Sequence, residues 1–392
     1  MSNLPLHGAL SDNKIEVIEK GGVVISGDKI IEVGNFKNLF KKKYQLIEIN
    51  TPQVLLPGFI DCHTHICHFG SRSDEYSKRN AGVSYQKILS EGGGIHNTMS
   101  ATEKASDDDL LNVTIKRLDR HLKEGVLTCE VKSGYGSNLS EEVRLLSLIN
   151  QLNTSHIIDI VPTCLAAHVT PKGYNSSSEY LEKIIEELIP IIKKRKLTDR
   201  VDIFIEEKAF SVNESLKYLS ELKNDFDITV HANQFSSGGV EVAVKSRAKS
   251  ADHLEVLNEK EIKLLSESNT SAVVLPGCSL GLGIPFAPAR KLLDGNCKLS
   301  IATDWNPGSA PMGDLLHQAS LLGSIEKLTN AEVFSAITFR AADALGLEDR
   351  GRIEKYKIAD FIGFDTKDYK EILYHQGKLK PSLICKRGEI YN

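Results

Sequence analysis

Eight short apolar segments of this chain alternate with more polar stretches, and this alternation restricts its possible folds more than any other feature. Two of the intervening stretches, Ser140 to Leu152 and Ser178 to Lys196, carry apolar residues at helical spacing. Strands that alternate with helices form a parallel sheet, and eight such units are the number that a (β/α)8 barrel needs. The sequence therefore predicts an α/β fold, a TIM-like (β/α)8 barrel. The predicted strands are Leu55 to Asp61, Val126 to Val131, Ile157 to Leu165, Val201 to Ile205, Ile228 to His231, Ser250 to Leu254, Ser271 to Leu275 and Leu299 to Thr303.

The two ends of the chain differ in character from its middle. Val23 to Ser26 and Lys29 to Val33 are short β-like runs, and Gly27-Asp28 between them has the composition of a hairpin turn. The tail has the same β-like character over Ala359 to Asp365 and Ser382 to Tyr391. We therefore expect one small β-sandwich domain assembled from both termini. The predicted domains are residues 1–56 together with 352–392 for the sandwich, and residues 57–351 for the barrel.

Composition limits the kinds of partner that we expect. The chain has 392 residues and a formal net charge of −4, which gives no basic footprint for nucleic acid and no polybasic segment for a membrane surface. No apolar run reaches the length of a membrane span and no targeting segment is evident, so we expect a cytoplasmic protein with a small-molecule substrate. The seven cysteines never form a C-x-x-C pair, which is typical of reduced thiols in a core.

The most informative segment for chemistry is PGFIDCHTH, which runs from Pro57 to His65. Side chains two residues apart on an extended strand point the same way, so His63 and His65 are expected to project together. In a barrel the active site lies at the carboxyl ends of the strands, where this pair would chelate a metal at the mouth. Two solvent-exposed histidines in a turn are the structural alternative.

Further residues that can bind a metal stand at other predicted strand ends. His168 follows the third strand, His231 ends the fifth, His253 ends the sixth and Asp304 follows the eighth. Any one of them alone has a structural alternative, a satisfied core histidine or a helix-capping aspartate. Together they indicate a shell of nitrogen and oxygen donors that suits Zn²⁺ or Fe²⁺. Such a shell leaves a position for water if His168 and His253 are not ligands.

These motifs are similar to those of the amidohydrolase superfamily, and within it the chain resembles the imidazolonepropionase family of histidine degradation. The agreement runs in order from about Pro57 to the C-terminus. Besides PGFIDCHTH, the segments that carry it are HFGSR (His68 to Arg72), EGGGIHNT (Glu91 to Thr98), EVKSGYG (Glu130 to Gly136), AAHVTP (Ala166 to Pro171), HANQFSSGG (His231 to Gly239), ADHLE (Ala251 to Glu255) and TDWNPGSAP (Thr303 to Pro311).

The resemblance implies a reaction, a metal and a set of contacts. The reaction is hydrolysis of 4-imidazolone-5-propanoate to N-formimidoyl-L-glutamate by cleavage of a ring C–N bond, and a homodimer is expected. The implied ligands of one Zn or Fe ion are His63, His65, His231 and Asp304. The residues implied to meet substrate or product are Arg72, Tyr135, His168, Gln234, Asn306, Gly308 and Ser309.

Elementary chemistry gives the implied catalytic residues their roles. A metal-activated water attacks the ring carbonyl, and Asp304 is placed to take the water proton and pass it to the departing nitrogen. His253 or His168, with the metal, stabilises the oxyanion.

The implied substrate contacts follow the same reasoning. Arg72 is the candidate clamp for the propanoate. Tyr135 donates a hydroxyl hydrogen bond or packs in its loop. Gln234 is an amide and cannot act as a base, so we expect it to contact a ring nitrogen or carbonyl.

Two other functions remain open from the residues. One is another mononuclear amidohydrolase that acts on a small cyclic amide or a heterocyclic amine. The other is a non-catalytic barrel, which would lack a metal ligand or block the water position. A carbamylated bridge between two metals at Lys132 is disfavoured, because this lysine ends the second predicted strand whereas such bridges belong to the fourth.

Overall fold

The computed structural model describes residues 3–41, 44–49, 51–83, 87 and 93–391. Of the motifs above, Glu91 and Gly92 lie outside these residues. The strands, in chain order, are β1 Gly21–Ser26, β2 Lys29–Asn35, β3 Val54–Pro57, β4 Phe59–Asp61, β5 Val126–Lys132, β6 Asp159–Ala167, β7 Arg200–Ile203, β8 Asp227–Ala232, β9 Ser250–His253, β10 Ser271–Val274, β11 Leu299–Ile301, β12 Phe361–Phe364, β13 Leu383–Lys386 and β14 Glu389–Tyr391.

The predicted barrel is confirmed. Strands β4 to β11 form one eight-stranded sheet in which each strand pairs in parallel with the next along the chain. Every residue of β5 is buried, as expected for a strand covered on one side by helices and on the other by the barrel interior.

The barrel closes just beyond the carboxyl ends of β4 and β11. Thr64 and Trp305 form an isolated parallel bridge at this point. The amide of His65 donates to the carbonyl oxygen of Trp305 at 3.0 Å, and the amide of Asp304 donates to the carbonyl oxygen of His63 at 3.0 Å. The first and last strands are therefore joined at the level of the predicted metal ligands.

The prediction of a single first strand over Leu55 to Asp61 was wrong. The structure divides it at Gly58, because β3 pairs antiparallel with β12 of the small domain whereas β4 pairs with β5 of the barrel. A Cβ atom on Gly58 would overlap the side chain of Leu127. Glycine therefore lets the chain pass from one sheet to the other at a point of close packing.

The predicted small β domain from both termini is confirmed. Strands β1 and β2 form an antiparallel hairpin, and β14, β13, β12 and β3 form a four-stranded sheet. The two sheets are joined where the amide of Ile30 donates to the carbonyl of Lys357, and they share a core that includes Ile30, Phe361 and Cys385. The segment around Leu4 and Leu10, however, packs against residues of the barrel. The exact domain boundaries stay a prediction.

Side-chain caps begin many of the helices. Ser106 accepts from the amide of Asp109, and Ser211 and Asn258 each form a capping box with the glutamate three residues later. The α-helices are Phe36–Leu39, Ser73–Asn80, Ile95–Lys104, Asp107–Lys123, Leu139–Ser155, Ser177–Lys183, Ile189–Arg195, Val212–Leu222, Gly239–Lys245, Glu259–Ser266, Pro276–Leu282, Ala289–Asp294, Leu315–Glu326, Asn330–Ala336, Phe339–Ala344 and Lys370–Tyr374, with a 3₁₀ turn at Asp12–Lys14 and a π segment at Ile184–Leu188.

Two further expectations can be compared with the structure. All seven cysteines are buried and unpaired, in agreement with the prediction of reduced core thiols. Among the described residues, none of the helices combines the length and apolar character that crossing a membrane requires. The cytoplasmic location stays a prediction.

Candidate metal centre

The predicted metal ligands converge at the carboxyl ends of the barrel strands. His63 and His65 follow β4, His231 lies in β8 and Asp304 follows β11, and all four side chains are buried. The Nε2 atom of His65 lies 3.2 Å from Nε2 of His63 and 3.3 Å from Nε2 of His231. Asp304 Oδ1 lies 3.5 Å and 3.4 Å from the Nε2 atoms of His63 and His65. Four donor atoms therefore face one point.

This donor set fits a tetrahedral metal ion. Ligand nitrogens bound to zinc at about 2.0–2.1 Å lie roughly 3.3 Å apart in a tetrahedron, which is the spacing of the imidazoles here. Burial lowers the pKa of His65 to about 4 and also lowers the pKa of His231, so both rings are neutral at pH 7. The neutral imidazoles of His65 and His231, whose Nε2 atoms lie 3.3 Å apart, offer their lone pairs to a cation.

Two carboxylates behind the histidines fix which ring nitrogen faces the centre. Asp252 Oδ2 lies 2.6 Å from Nδ1 of His63, and Asp202 Oδ2 lies 3.0 Å from Nδ1 of His231. Since a carboxylate accepts a hydrogen bond from Nδ1–H, it leaves Nε2 free to bind a metal. The sequence reasoning missed Asp202 and Asp252. The signal for Asp202 was a charged residue inside the otherwise apolar run Val201 to Ile205, whereas Asp252 stands directly before His253 in a strand that also holds Ser250.

Asp304 is held in an unusual backbone conformation by the residues that follow it. Its φ is +52°, in the left-handed region. The Asn306 amide donates to Asp304 Oδ2 at 2.9 Å, and the Ser309 hydroxyl donates to the same oxygen at 3.3 Å. Asn306 Oδ1 in turn accepts from the amides of Gly308 and Ser309. This loop therefore directs Oδ1 of Asp304 to the histidines.

His253 ends β9 and lies close to Asp304. Its ring, together with His63 and Asp304, offers ligand atoms within 4.8 Å of one another. Burial lowers the pKa of His253, but Glu255, with Nδ1 to Oε1 at 3.5 Å, and Cys278 raise it more, so the pKa lies well above its ordinary value. His253 is therefore a buried, protonated imidazole beside the centre.

His168 and Tyr135 lie against His65. The ring of His168 stacks on that of His65 with centroids 5.4 Å apart, and the Tyr135 ring lies 5.8 Å from His168. Burial and the neighbouring His65 lower the pKa of His168 to about 3, so it is neutral. Nδ1 of His168 lies 3.1 Å from the carbonyl oxygen of Gly134, which can only accept. Nε2 therefore carries the lone pair.

A cavity of about 420 Å³ has a wall that includes His68, Arg72, Trp305, Asn306 and Gly308 but none of the four predicted ligands. It adjoins the centre at Asn306, whose amide donates to Asp304. Arg72 donates from Nε and Nη2 to Oε2 of Glu75 at 2.9 Å and 2.8 Å. This pairing uses one edge of the guanidinium and leaves Nη1 beside Gly308, where an added Cβ would overlap it.

The last predicted contact, Gln234, lies beside Cys278, which also interacts with His253. Its amide donates to the sulfur of Cys278 at 3.1 Å. The structure therefore brings all the predicted site residues to one end of the barrel. Their individual roles stay predictions.

Comparison with known proteins identifies the family. A model of the amidohydrolase family matches residues 54–390. The chain is 39% identical over 368 residues to the imidazolonepropionase of Caldanaerobacter subterraneus subsp. tengcongensis, covering 93% of this chain and 88% of the relative. This chain belongs to the imidazolonepropionase family of amidohydrolases. A second member, from Fusobacterium nucleatum subsp. nucleatum, is 38% identical over 386 residues, 96% of this chain and 93% of that protein.

Two solved structures of zinc-containing enzymes share the fold of this chain. Atrazine chlorohydrolase TrzN from Arthrobacter aurescens TC1, complexed with zinc, superposes with a TM-score of 0.68 at 15% identity, over 97% of this chain and 92% of that one. An adenosine deaminase from Xanthomonas campestris with bound zinc also has a TM-score of 0.68, at 17% identity, over 95% and 88% of the two chains. At such identities the likeness concerns the fold alone.

Proposed function

We propose that this member of the imidazolonepropionase family hydrolyses 4-imidazolone-5-propanoate to N-formimidoyl-L-glutamate, the third step of histidine degradation. The observation that carries the proposal is the convergence of three imidazole Nε2 atoms and one carboxylate oxygen beside a cavity whose wall includes an arginine. The three imidazoles and the carboxylate can hold a metal ion that activates water for hydrolysis. The arginine can bind the carboxylate of a small anionic substrate.

We infer that one divalent ion, Zn or Fe, is held by His63, His65, His231 and Asp304. When bound, such an ion lowers the pKa of a water molecule from about 15.7 to near 7 and polarises a carbonyl group. Lys132 supports a mononuclear site, because its ammonium is engaged with Glu130 and Asp202, each at 2.8 Å, rather than placed among the ligands.

Asp304 is the proton carrier in this proposal. Burial raises the pKa of its carboxylate, but the facing rings of His63, His65 and His253 lower it more, so the pKa lies well below the ordinary value. It is therefore ionised before the reaction and able to accept the proton of the attacking water. The same proton passes to the ring nitrogen when the C–N bond breaks. Asn306 and Ser309 keep the carboxylate oriented throughout.

The two further histidines take different roles. His253 is protonated, so it donates a hydrogen bond to the oxyanion that forms when water attacks the ring carbonyl. His168 presents an unprotonated Nε2, because Nδ1 gives its hydrogen to Gly134. It therefore accepts a hydrogen bond from a ring N–H of the substrate.

The substrate carboxylate is assigned to Arg72. Since Glu75 occupies the edge formed by Nε and Nη2, the propanoate meets the free Nη1 atom beside Gly308. Tyr135 is buried, and the centroid of its ring lies 6.1 Å from that of His65. From this position its hydroxyl can donate to the substrate. Gln234 contacts a polar atom of the substrate ring, while its amide NH₂ donates a hydrogen bond to the sulfur of Cys278.

A spectrophotometric assay tests the whole proposal. The loss of imidazolone-propanoate absorbance is followed with the purified protein, after chelator treatment, and after Zn²⁺ or Fe²⁺ is restored. We expect turnover to N-formimidoyl-L-glutamate that disappears with the metal and returns with it. A metal-loaded protein that leaves this substrate intact, yet hydrolyses another cyclic amide or a heterocyclic amine, would overturn the substrate assignment. The inferred homodimer is tested by the mass of the protein in solution.

A further inference from the structure

A buried ammonium group lies among carboxylates behind the metal centre. Lys132 ends β5, and its side chain has no exposed surface. Its Nζ atom lies 2.8 Å from Glu130 Oε1, 2.8 Å from Asp202 Oδ2 and 4.0 Å from Asp252 Oδ2. A lysine is rarely buried completely unless it is paired, and Lys132 meets this condition through the carboxylates around it.

Two of these carboxylates are the ones that orient metal ligands. Asp202 contacts Nδ1 of His231, and Asp252 contacts Nδ1 of His63, as described above. The two aspartates belong to different strands, β7 and β9, and Lys132 reaches both of them from β5 across the barrel interior. The ammonium and the imidazole approach the same oxygen in each case, Oδ2 of Asp202 and Oδ2 of Asp252.

The backbone of Lys132 is tied to the same ligands. Its amide donates to the carbonyl oxygen of Thr64 at 3.1 Å, and Thr64 stands between His63 and His65. The position of this lysine is therefore fixed relative to the ligand pair by its main chain and relative to the two aspartates by its side chain.

We propose that Lys132 is a positioning residue for the metal centre, acting through Asp202 and Asp252. Buried carboxylates without a counter-ion repel one another and are costly to desolvate, so they turn away from each other. The ammonium holds both carboxylates in place, and each then holds its histidine with Nε2 toward the metal. This inference rests on the metal centre proposed above and extends it to a residue that touches neither metal nor substrate.

Lys132→Met tests the proposal, because methionine has a similar length and no charge. We expect the metal-loaded variant to lose its ion to a chelator about 10–100-fold faster than the unmodified protein, the usual effect of removing a partner behind a ligand. Loaded with Co²⁺, the variant should have a changed visible spectrum. Its kcat should fall while KM stays unchanged, since no substrate contact is removed.

Arg340→Met is the matched control for the loss of a buried cation. Arg340 is 1% exposed and donates to the carbonyl oxygens of Pro5 and Gly8, away from the centre. This variant should lose thermal stability but keep its metal as the unmodified protein does.

A double variant separates positioning from folding. Lys132→Met combined with Glu130→Gln removes one positive and one negative charge, so we expect it to unfold at a higher temperature than Lys132→Met alone. Metal loss should stay fast, because Asp202 and Asp252 still lack the ammonium. Metal retention and a Co²⁺ spectrum equal to those of the unmodified protein, in either variant, would overturn the proposal. If the unmodified protein itself binds no metal, the proposed metal centre fails and this inference with it.

Discussion

The backbone amide of Asp304 donates a hydrogen bond of 3.0 Å to the carbonyl oxygen of His63, so two proposed metal ligands from opposite ends of the barrel sheet are joined directly. The amide of His65 makes the matching bond to Trp305. Closure of the barrel and assembly of the site are thus one structural event. A substitution that breaks these two hydrogen bonds is expected to weaken metal binding before it unfolds the barrel.

Replacing the proposed proton carrier should stop catalysis while leaving the fold intact. Asp304→Asn keeps the shape of the side chain but removes its ability to accept a proton, and we expect kcat to fall by about 10²–10⁴-fold. Steady-state kinetics and a thermal melt of the metal-loaded protein measure the two effects. Asp294→Asn, at an exposed pair with Arg290, is the control and should have normal activity. Normal turnover by the Asp304 variant would remove this residue from the mechanism.

The space beside Gly308 should determine affinity for the substrate carboxylate. Gly308→Ala places a methyl group where Nη1 of Arg72 lies, so the guanidinium must move. We expect KM to rise by about 10-fold or more, the effect of losing about 1.4 kcal/mol or more of binding, with a smaller change in kcat. Gly34→Ala, on β2 where an added Cβ meets only ordinary contacts with Leu39 at 3.7 Å or more, tests whether an added methyl group alone has an effect. An unchanged KM for Gly308→Ala would contradict the assignment of Arg72.

The alkaline limit of activity should depend on Glu255. This carboxylate raises the pKa of His253 against the opposing effect of burial, and the proposed oxyanion donor works only while protonated. Activity should therefore be present below the pKa of His253 and decline as the pH rises through it. Glu255→Gln removes the negative charge and lowers that pKa, which should shift the alkaline limb of the kcat profile to lower pH. Glu267→Gln, on an exposed ion pair, should leave the profile unmoved.

A cluster of charges should stabilise the junction of the two domains in a pH-dependent way. Burial raises the pKa of Asp159, but Lys386, Arg350 and Arg387 outweigh it and lower the pKa to about 2. A group with a lowered folded-state pKa stabilises the fold above its ordinary pKa of 3.8 and loses this effect as the pH falls toward 2. Asp159→Asn should cost about 1–3 kcal/mol of unfolding free energy at pH 7.

Urea unfolding at several pH values measures this contribution. The difference between Asp159→Asn and the unmodified protein should shrink between pH 4 and pH 2, whereas a constant difference would show that ionisation of Asp159 is not its cause. Asp225→Asn, which removes an exposed ion pair with Lys193, should have little effect at any pH.

Much of the fold and of the site could be predicted from local patterns. Alternation of apolar strands with helical stretches is a property of neighbouring residues, and it correctly predicted the barrel and the small β domain. His63 and His65 are two residues apart on a strand, so their common direction also follows from local geometry. His231, His253 and Asp304 could be placed because each stands at the end of a predicted strand, and parallel strands end at one rim.

Other features depended on contacts between residues that are far apart in sequence. The break at Gly58 follows from its packing against Leu127, and Leu55 to Asp61 alone read as one strand. The roles of Asp202 and Asp252 appear only when their strands bring them within 3.0 Å and 2.6 Å of ligand histidines.

Arg72 shows the same division between local and long-range information. The sequence indicated a cation for the substrate carboxylate, but the tertiary structure showed that Glu75 already occupies one edge of its guanidinium. The sequence by itself determined the alternation of strands with helices, the small domain and the candidate ligands, because these depend on the residue and its near neighbours. Only the tertiary structure decided which carboxylate faces which histidine and where Lys132 lies among them, because side chains brought together across the barrel carry no signal in local spacing.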